Sequence, residues 1–160
     1  MKSSNLVKYI LDTNILMKFE KWIPIEVNSF FWEKMEETLL LGKWVLLDVV
    51  VSEIKWEKNL FNWCKKQKEK GLTTKISDED RNRGVEINNL YNMIDQNTGK
   101  STTDTYIIAH AEANGLGVFS DEMFKDKDKI FNKIPDVCNA LKVKNIRKPI
   151  LFFRNIGFKN

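Results

Sequence analysis

Two cysteines and one histidine are all the thiol and imidazole chemistry that this 160-residue chain carries. Cys64 and Cys138 are too few and too far apart for a disulfide framework or a zinc site. Both are expected to be reduced and at least partly buried in a cytoplasmic protein. Long apolar runs are missing as well. The most apolar stretch, Leu39 to Val51, is interrupted by Gly42, Lys43 and Asp48, and it falls short of the roughly 20 residues that cross a bilayer. The segment Met1 to Asn5 lacks the apolar core of a signal peptide, so no membrane association is expected. Nor is there an internal repeat, a low-complexity tract or an interdomain linker. The length suits a single domain over residues 1–160.

Hydrophobic residues make up 42% of the chain and aromatics 11%, too many for a disordered polymer. Twenty-six Lys plus Arg against 22 Asp plus Glu leave a net charge of +4. That excess does not by itself identify a nucleic-acid binder. It gains weight if a knot of carboxylates lies inside the fold, because the remaining surface is then more positive than the total.

Residues 6–11 read as a short buried strand, and Thr13 or Asn14 as the cap of a helix from about Ile15. A loop with Pro24 follows, then an amphipathic helix from Phe30 to Leu41 stopped by Gly42. Trp44 to Leu47 is strand-like. Asp48 is expected to cap one long helix running toward Gly71, with Val49, Trp56, Leu60 and Trp63 near one stripe. Its lysine-rich end suits the negative pole of the helix dipole and reads as a solvated face. Residues 72–78 form a loop, Glu79 to Ile94 a helix and Gln96 to Lys100 a turn. Ser101 to Asn114 forms a helix closed by Gly115, with Ser101 and Asp104 at capping-box spacing. Leu116 to Ser120 reads as a strand, Lys125 to Lys129 as a loop, Pro135 as a helix start and Ile150 to Phe153 as a last strand. Strands separated by helices imply an α/β fold, a three-layer α/β/α sandwich around a mainly parallel sheet. The motif-bearing core covers about residues 6–140, and residues 141–160 are expected to complete the sheet or pack on a second subunit. The five tryptophans read as core or oligomer contacts.

Acidic residues recur where apolar segments stop. Asp12 closes Tyr9-Ile10-Leu11, and Asp121-Glu122 follow Gly117-Val118-Phe119-Ser120. Glu53 sits early in a middle helix, and Asp104 opens a late one. In an open parallel sheet the carboxyl ends of strands converge on one crevice, so these acids can meet in space. Close carboxylate pairs repel by about 4 kcal/mol at an effective dielectric near 20, and a divalent cation is the natural occupant.

The ordered set Tyr9-Ile-Leu-Asp-Thr-Asn14, Ser52-Glu53, Asp104-Thr-Tyr-Ile-Ile-Ala-His-Ala111 and Val118-Phe-Ser-Asp-Glu122 resembles the PIN-domain ribonuclease family. With Lys133-Ile-Pro-Asp-Val-Cys138, the chain is similar to a PIN-like group of small bacterial proteins of poorly defined function. The resemblance implies a Mg²⁺- or Mn²⁺-dependent endoribonuclease that hydrolyses RNA with a metal-activated water. It extends to the toxin of a toxin–antitoxin pair, with RNA and an antitoxin protein as partners. A homodimer is expected. By the resemblance Asp12, Glu53 and Asp104 bind metal and act in catalysis. Strand-end placement selects Asp121 as the fourth catalytic acid and metal ligand, whereas spacing after Ser120 selects Glu122, and both are kept. Thr13, Asn14 and Ser120 are supporting residues, and Lys100, just before Asp104, is a candidate guide for the RNA backbone. Metal chemistry leaves little for His110 to do, and it reads as structural.

Two other readings use the same residues. A haloacid-dehalogenase-type phosphatase also places an Asp after its first strand, but it needs a second Asp where this chain has Asn14. A non-catalytic PIN-like module would bind RNA or protein without cutting.

Overall fold

The computed structural model of the protein describes residues 6–157. The Met1 to Asn5 segment lies outside the described residues. Four short parallel strands form one sheet: β1 (Tyr9–Leu11), β2 (Trp44–Val45), β3 (Gly117–Phe119) and β4 (Asn145–Ile146), in the order β2-β1-β3-β4. Around them lie α1 (Thr13–Trp22), α2 (Ser29–Leu40), α3 (Asp48–Glu53), α4 (Lys58–Glu69), α5 (Asp78–Tyr91), α6 (Thr102–Asn114), α7 (Ile134–Ala140) and α8 (Pro149–Asn155). This is a three-layer α/β/α sandwich with an all-parallel sheet.

Register sets the site. Leu11 pairs with Phe119, and the Asp12 N–H continues the ladder by donating to Phe119 O at 2.9 Å. Asp12 and Ser120 therefore leave the carboxyl edge of the two central strands side by side. Tyr9, Ile10, Leu11, Val118 and Phe119 are all buried, as strands covered on both faces must be.

An aromatic cluster ties the helices to this sheet. Phe19 of α1 stacks on Phe153 of α8 at 5.5 Å and meets Phe31 of α2 edge-on at 5.6 Å. Phe119 of β3 lies 5.0 Å from Phe152 of α8, and Trp32 packs edge-on against Trp63 of α4 at 5.1 Å. Such pairs contribute about 0.5–1.5 kcal/mol each beyond the area they bury. Trp32, Trp44 and Trp63 are core residues, as expected for tryptophan in this chain, but Trp22 and Trp56 are exposed.

Three expectations change. Ile150 to Phe153 belongs to helix α8, not to a strand: Pro149 opens the helix at its first positions, and only one of its ridges, at Phe152, is fully buried. The sheet's edge is completed instead by Asn145–Ile146. The long helix from Asp48 breaks after Glu53 and resumes at Lys58, so Leu60 and Trp63 reach the core while Trp56 turns outward. Ser101 has φ of 75° and makes no side-chain cap bond; the capping box belongs to Ser77 and Asp80 at the start of α5.

Gly117 carries a packing constraint at the sheet's centre. A Cβ there would lie 2.5 Å from Tyr9 Cε1 and 3.0 Å from Val7 Cγ1. Gly117→Ala is expected to destabilise the protein by about 1–3 kcal/mol, read as a lower urea midpoint. An unchanged midpoint would contradict this packing.

Candidate functional site

Asp12 caps α1. Its Oδ1 accepts from the Thr13 N–H at 2.7 Å, and its Oδ2 accepts from Ser120 Oγ at 2.8 Å. The cap expected at Thr13 or Asn14 is thus Asp12, one or two residues earlier. Thr13 instead donates its hydroxyl to Glu53 Oε2 at 3.0 Å, tying the end of α3 to the start of α1. Asn14, the second residue of α1, donates to Ser120 Oγ at 3.2 Å and accepts from the Asp121 N–H at 3.0 Å. Ser120, 4% exposed, also accepts from the Glu122 N–H at 3.1 Å. Thr13, Asn14 and Ser120 form a polar frame that links α1, α3 and the chain leaving β3.

The acids around this frame repel one another. Asp12 is 4% exposed, and its pKa is pushed up to about 7, first by burial and then by Glu122 and Glu53 against the bonds from Ser120 and Thr13. Asp104, partly buried in the first turn of α6, is held well above the usual carboxylate range by desolvation and by Asp12, Glu122 and Glu53. Glu53 is exposed, and Glu122 half-buried with its Oε2 accepting from the Ile134 N–H at the start of α7, 2.9 Å away. Four elements thus bring Asp12, Glu53, Asp104 and Glu122 within mutual electrostatic reach.

Asp121 is engaged elsewhere. Its Oδ1 lies 2.9 Å from Lys18 Nζ and 3.9 Å from Arg147 Nε, and it is not among the leading charges that raise Asp12 and Asp104. Of the two adjacent acids, Glu122 faces the charged centre and Asp121 faces cations. Lys100 is exposed in the turn before α6, and among the described residues its ammonium meets no carboxylate. Lys18 and Arg147 were not legible as site residues in one dimension. For Lys18 the signal was its spacing, since Asn14, Lys18 and Trp22 recur every four residues on one side of α1. Arg147 follows β4, itself too short to read.

His110 has a structural partner. Its Nδ1 is 2.8 Å from Oδ2 of Asp80, a buried acid that also closes the α5 capping box. Burial pushes Asp80 up, but its bonds from His110 and Ser77 outweigh that and hold it below the ordinary carboxylate value. The imidazole joins α6 to α5 away from the acids. Cys64 and Cys138 are both free and buried, with thiols pushed up to about 12 by burial, Cys138 also by Glu122. Neither supplies a thiolate nucleophile.

The donor set is carboxylate oxygen throughout, which suits a hard divalent cation. Burial of Asp12 beside three other acids leaves a charge deficit that a cation would fill. Among the described residues, however, no three acids, histidines or cysteines converge closely enough to hold a metal ion in this conformation. The acids are of the type that could ligate a cation, and they do not close around one here.

A parallel α/β protein with an acidic crevice at the carboxyl edge of its sheet is the class that the fold and site define. The chain belongs to the family described as a domain of unknown function, DUF4411, whose model matches residues 9–159. No curated protein and no solved structure shows significant similarity to it. No helix among the described residues is long and apolar enough to cross a membrane.

The raised carboxyls fix the sign of a pH effect. A carboxyl whose folded pKa is raised contributes stability that is fully present below its ordinary value, 3.8 for Asp12, and lost as pH rises through about 7. A shift of this size is worth on the order of 4 kcal/mol. With divalent ions chelated, the thermal midpoint is expected to fall between about pH 5 and about pH 8, and Asp12→Asn to flatten that fall. A parent midpoint that rises across this range would show that the acids are not desolvated together.

Proposed function

We propose that the chain is a divalent-metal-dependent endoribonuclease, as its resemblance to PIN-domain ribonucleases implies. The supporting observation is the buried Asp12 carboxyl with Glu53, Asp104 and Glu122 close enough to repel it, inside a protein of net positive charge. Ionised together, these acids are relieved by a cation, and the chain's net charge of +4 favours a polyanion as partner. In this reading Asp12 and Asp104 are the principal Mg²⁺ or Mn²⁺ ligands, with Glu53 and Glu122 beside them. Such an ion, when bound, polarises water and offsets the charge that builds on the phosphate.

The chain's own residues do the positioning. Ser120 and the Thr13 N–H each hold one oxygen of Asp12, which fixes the carboxylate plane. Thr13 orients Glu53, and the Ile134 N–H orients Glu122. Lys18 and Arg147, both drawn toward Asp121, supply positive charge at the crevice's margin where the RNA backbone would pass. Hydrolysis places water's oxygen on phosphorus and breaks the bond to the 3′ oxygen, leaving a 5′-phosphate and a 3′-hydroxyl. In a cell, an antitoxin protein would restrain such an activity. The phosphatase reading is weaker, because Asn14 is an amide already bonded to Ser120 and Asp121 and offers no acid.

With Mn²⁺ and pooled single-stranded RNA, the parent is expected to produce fragments with 5′-phosphate ends. The Asp12→Asn, Asp104→Asn double variant should lose at least about 100-fold of that rate. Intact RNA with a folded parent in both Mg²⁺ and Mn²⁺ would refute the proposal, and equal cutting by the two proteins would place any activity outside this site.

A further inference from the structure

A groove of about 620 Å³ opens beside the acidic crevice, lined in part by Asn14, Lys18, Lys21, Trp22, Pro24 and Asp121. Asn14 belongs to the site's polar frame and accepts from the Asp121 N–H, so the groove adjoins that frame. At the other end stands Trp22, 67% exposed although indole rings are among the costliest surfaces to leave in water. Lys18 joins the two ends: its Nζ is 2.9 Å from Asp121 and 4.7 Å from the centre of the Trp22 ring. Asn14, Lys18 and Trp22 form one line along α1, spanning about 12 Å at the helical rise. Glu20 also lines the groove, but its carboxylate accepts from the Ile25 N–H at 2.9 Å. Glu57 completes the acidic part of the lining, and Trp56 beside it is 90% exposed.

We propose that this groove is a nucleobase subsite for single-stranded RNA, in which one base stacks on Trp22 and Lys18 meets the neighbouring phosphate. The proposal rests on the ribonuclease reading of the crevice and adds where the substrate lies. An exposed indole with an ammonium at its face offers the two contacts that a single strand presents in alternation, a π face and an anion. A duplex keeps its bases stacked inside and cannot use the ring. Lys18 is held between Asp121 and Trp22, so it is already placed when a strand arrives, and its partner Asp121 anchors it instead of joining the other acids.

The test uses full-length protein carrying Asp12→Asn and Asp104→Asn, so that binding is read without cutting. A labelled single-stranded RNA of about 10 nucleotides and a duplex of the same sequence are titrated by fluorescence anisotropy. Adding Trp22→Ala should weaken single-strand binding about tenfold or more, Trp22→Phe should restore most of it, and duplex binding should not move. Single-strand affinity within twofold of the starting protein after Trp22→Ala overturns the subsite, as does absence of any RNA binding. A change of oligomeric state on Trp22→Ala with unaltered RNA affinity also overturns it and assigns the groove to a second copy of the chain. Cleavage by the parent with a Trp22-independent KM sinks the subsite alone. Trp22-dependent binding with no cleavage by the parent in either metal supports the subsite and sinks the nuclease reading alone.

Discussion

Everything at the crevice depends on where the Asp12 carboxyl is forced to sit. Its backbone N–H continues the β1–β3 ladder to Phe119, and its side chain closes the first turn of α1. Both ends of the residue are committed, so the carboxyl cannot swing out to water. It stays 4% exposed and within electrostatic reach of Asp104, Glu122 and Glu53. A buried, ionised carboxylate with like-charged neighbours is costly and is relieved only by a proton or a cation. The proton is the relief available without metal, and it is why the pKa of Asp12 rises to about 7.

The apolar frame makes that cost bearable. Phe19, Phe31, Phe119, Phe152 and Phe153 join α1, α2, β3 and α8 into one cluster beneath the crevice. Its burial, with Trp32, Trp44 and Trp63, holds strands of only two or three residues in register. A site held by such short strands keeps its geometry through packing more than through ladder hydrogen bonds. Gly117 belongs to the same constraint, since Tyr9 fills the space a side chain would need.

Polar wiring then sorts the acids. Adjacent residues Asp121 and Glu122 meet opposite environments. One is paired with Lys18 and approached by Arg147, and the other is held by the start of α7 and turned to the charged centre. Strand-end position in the sequence pointed to Asp121, and nothing in one dimension distinguishes the two. The same sorting leaves Trp22 exposed beside Lys18 while three other tryptophans fill the core.

The sequence by itself determined the alternation of strands and helices, hence the α/β class, and the positions of Asp12, Glu53 and Asp104 at segment ends. These are local properties: apolar periodicity, glycine at Gly42 and Gly115, and a carboxylate where an apolar run stops. It did not determine the break after Glu53 or the helical state of Ile150 to Phe153, because a four-residue apolar run fits a strand and a buried helix turn equally well. The choice fell to Phe152, whose fit against Phe119 and Trp44 is a contact between residues far apart in the chain. For the same reason only the tertiary structure decided that Asp12 is desolvated, that Glu122 joins it and that Lys18 neutralises Asp121. Burial and charge proximity are properties of neighbours in space, and these neighbours lie at least 40 residues apart in the chain.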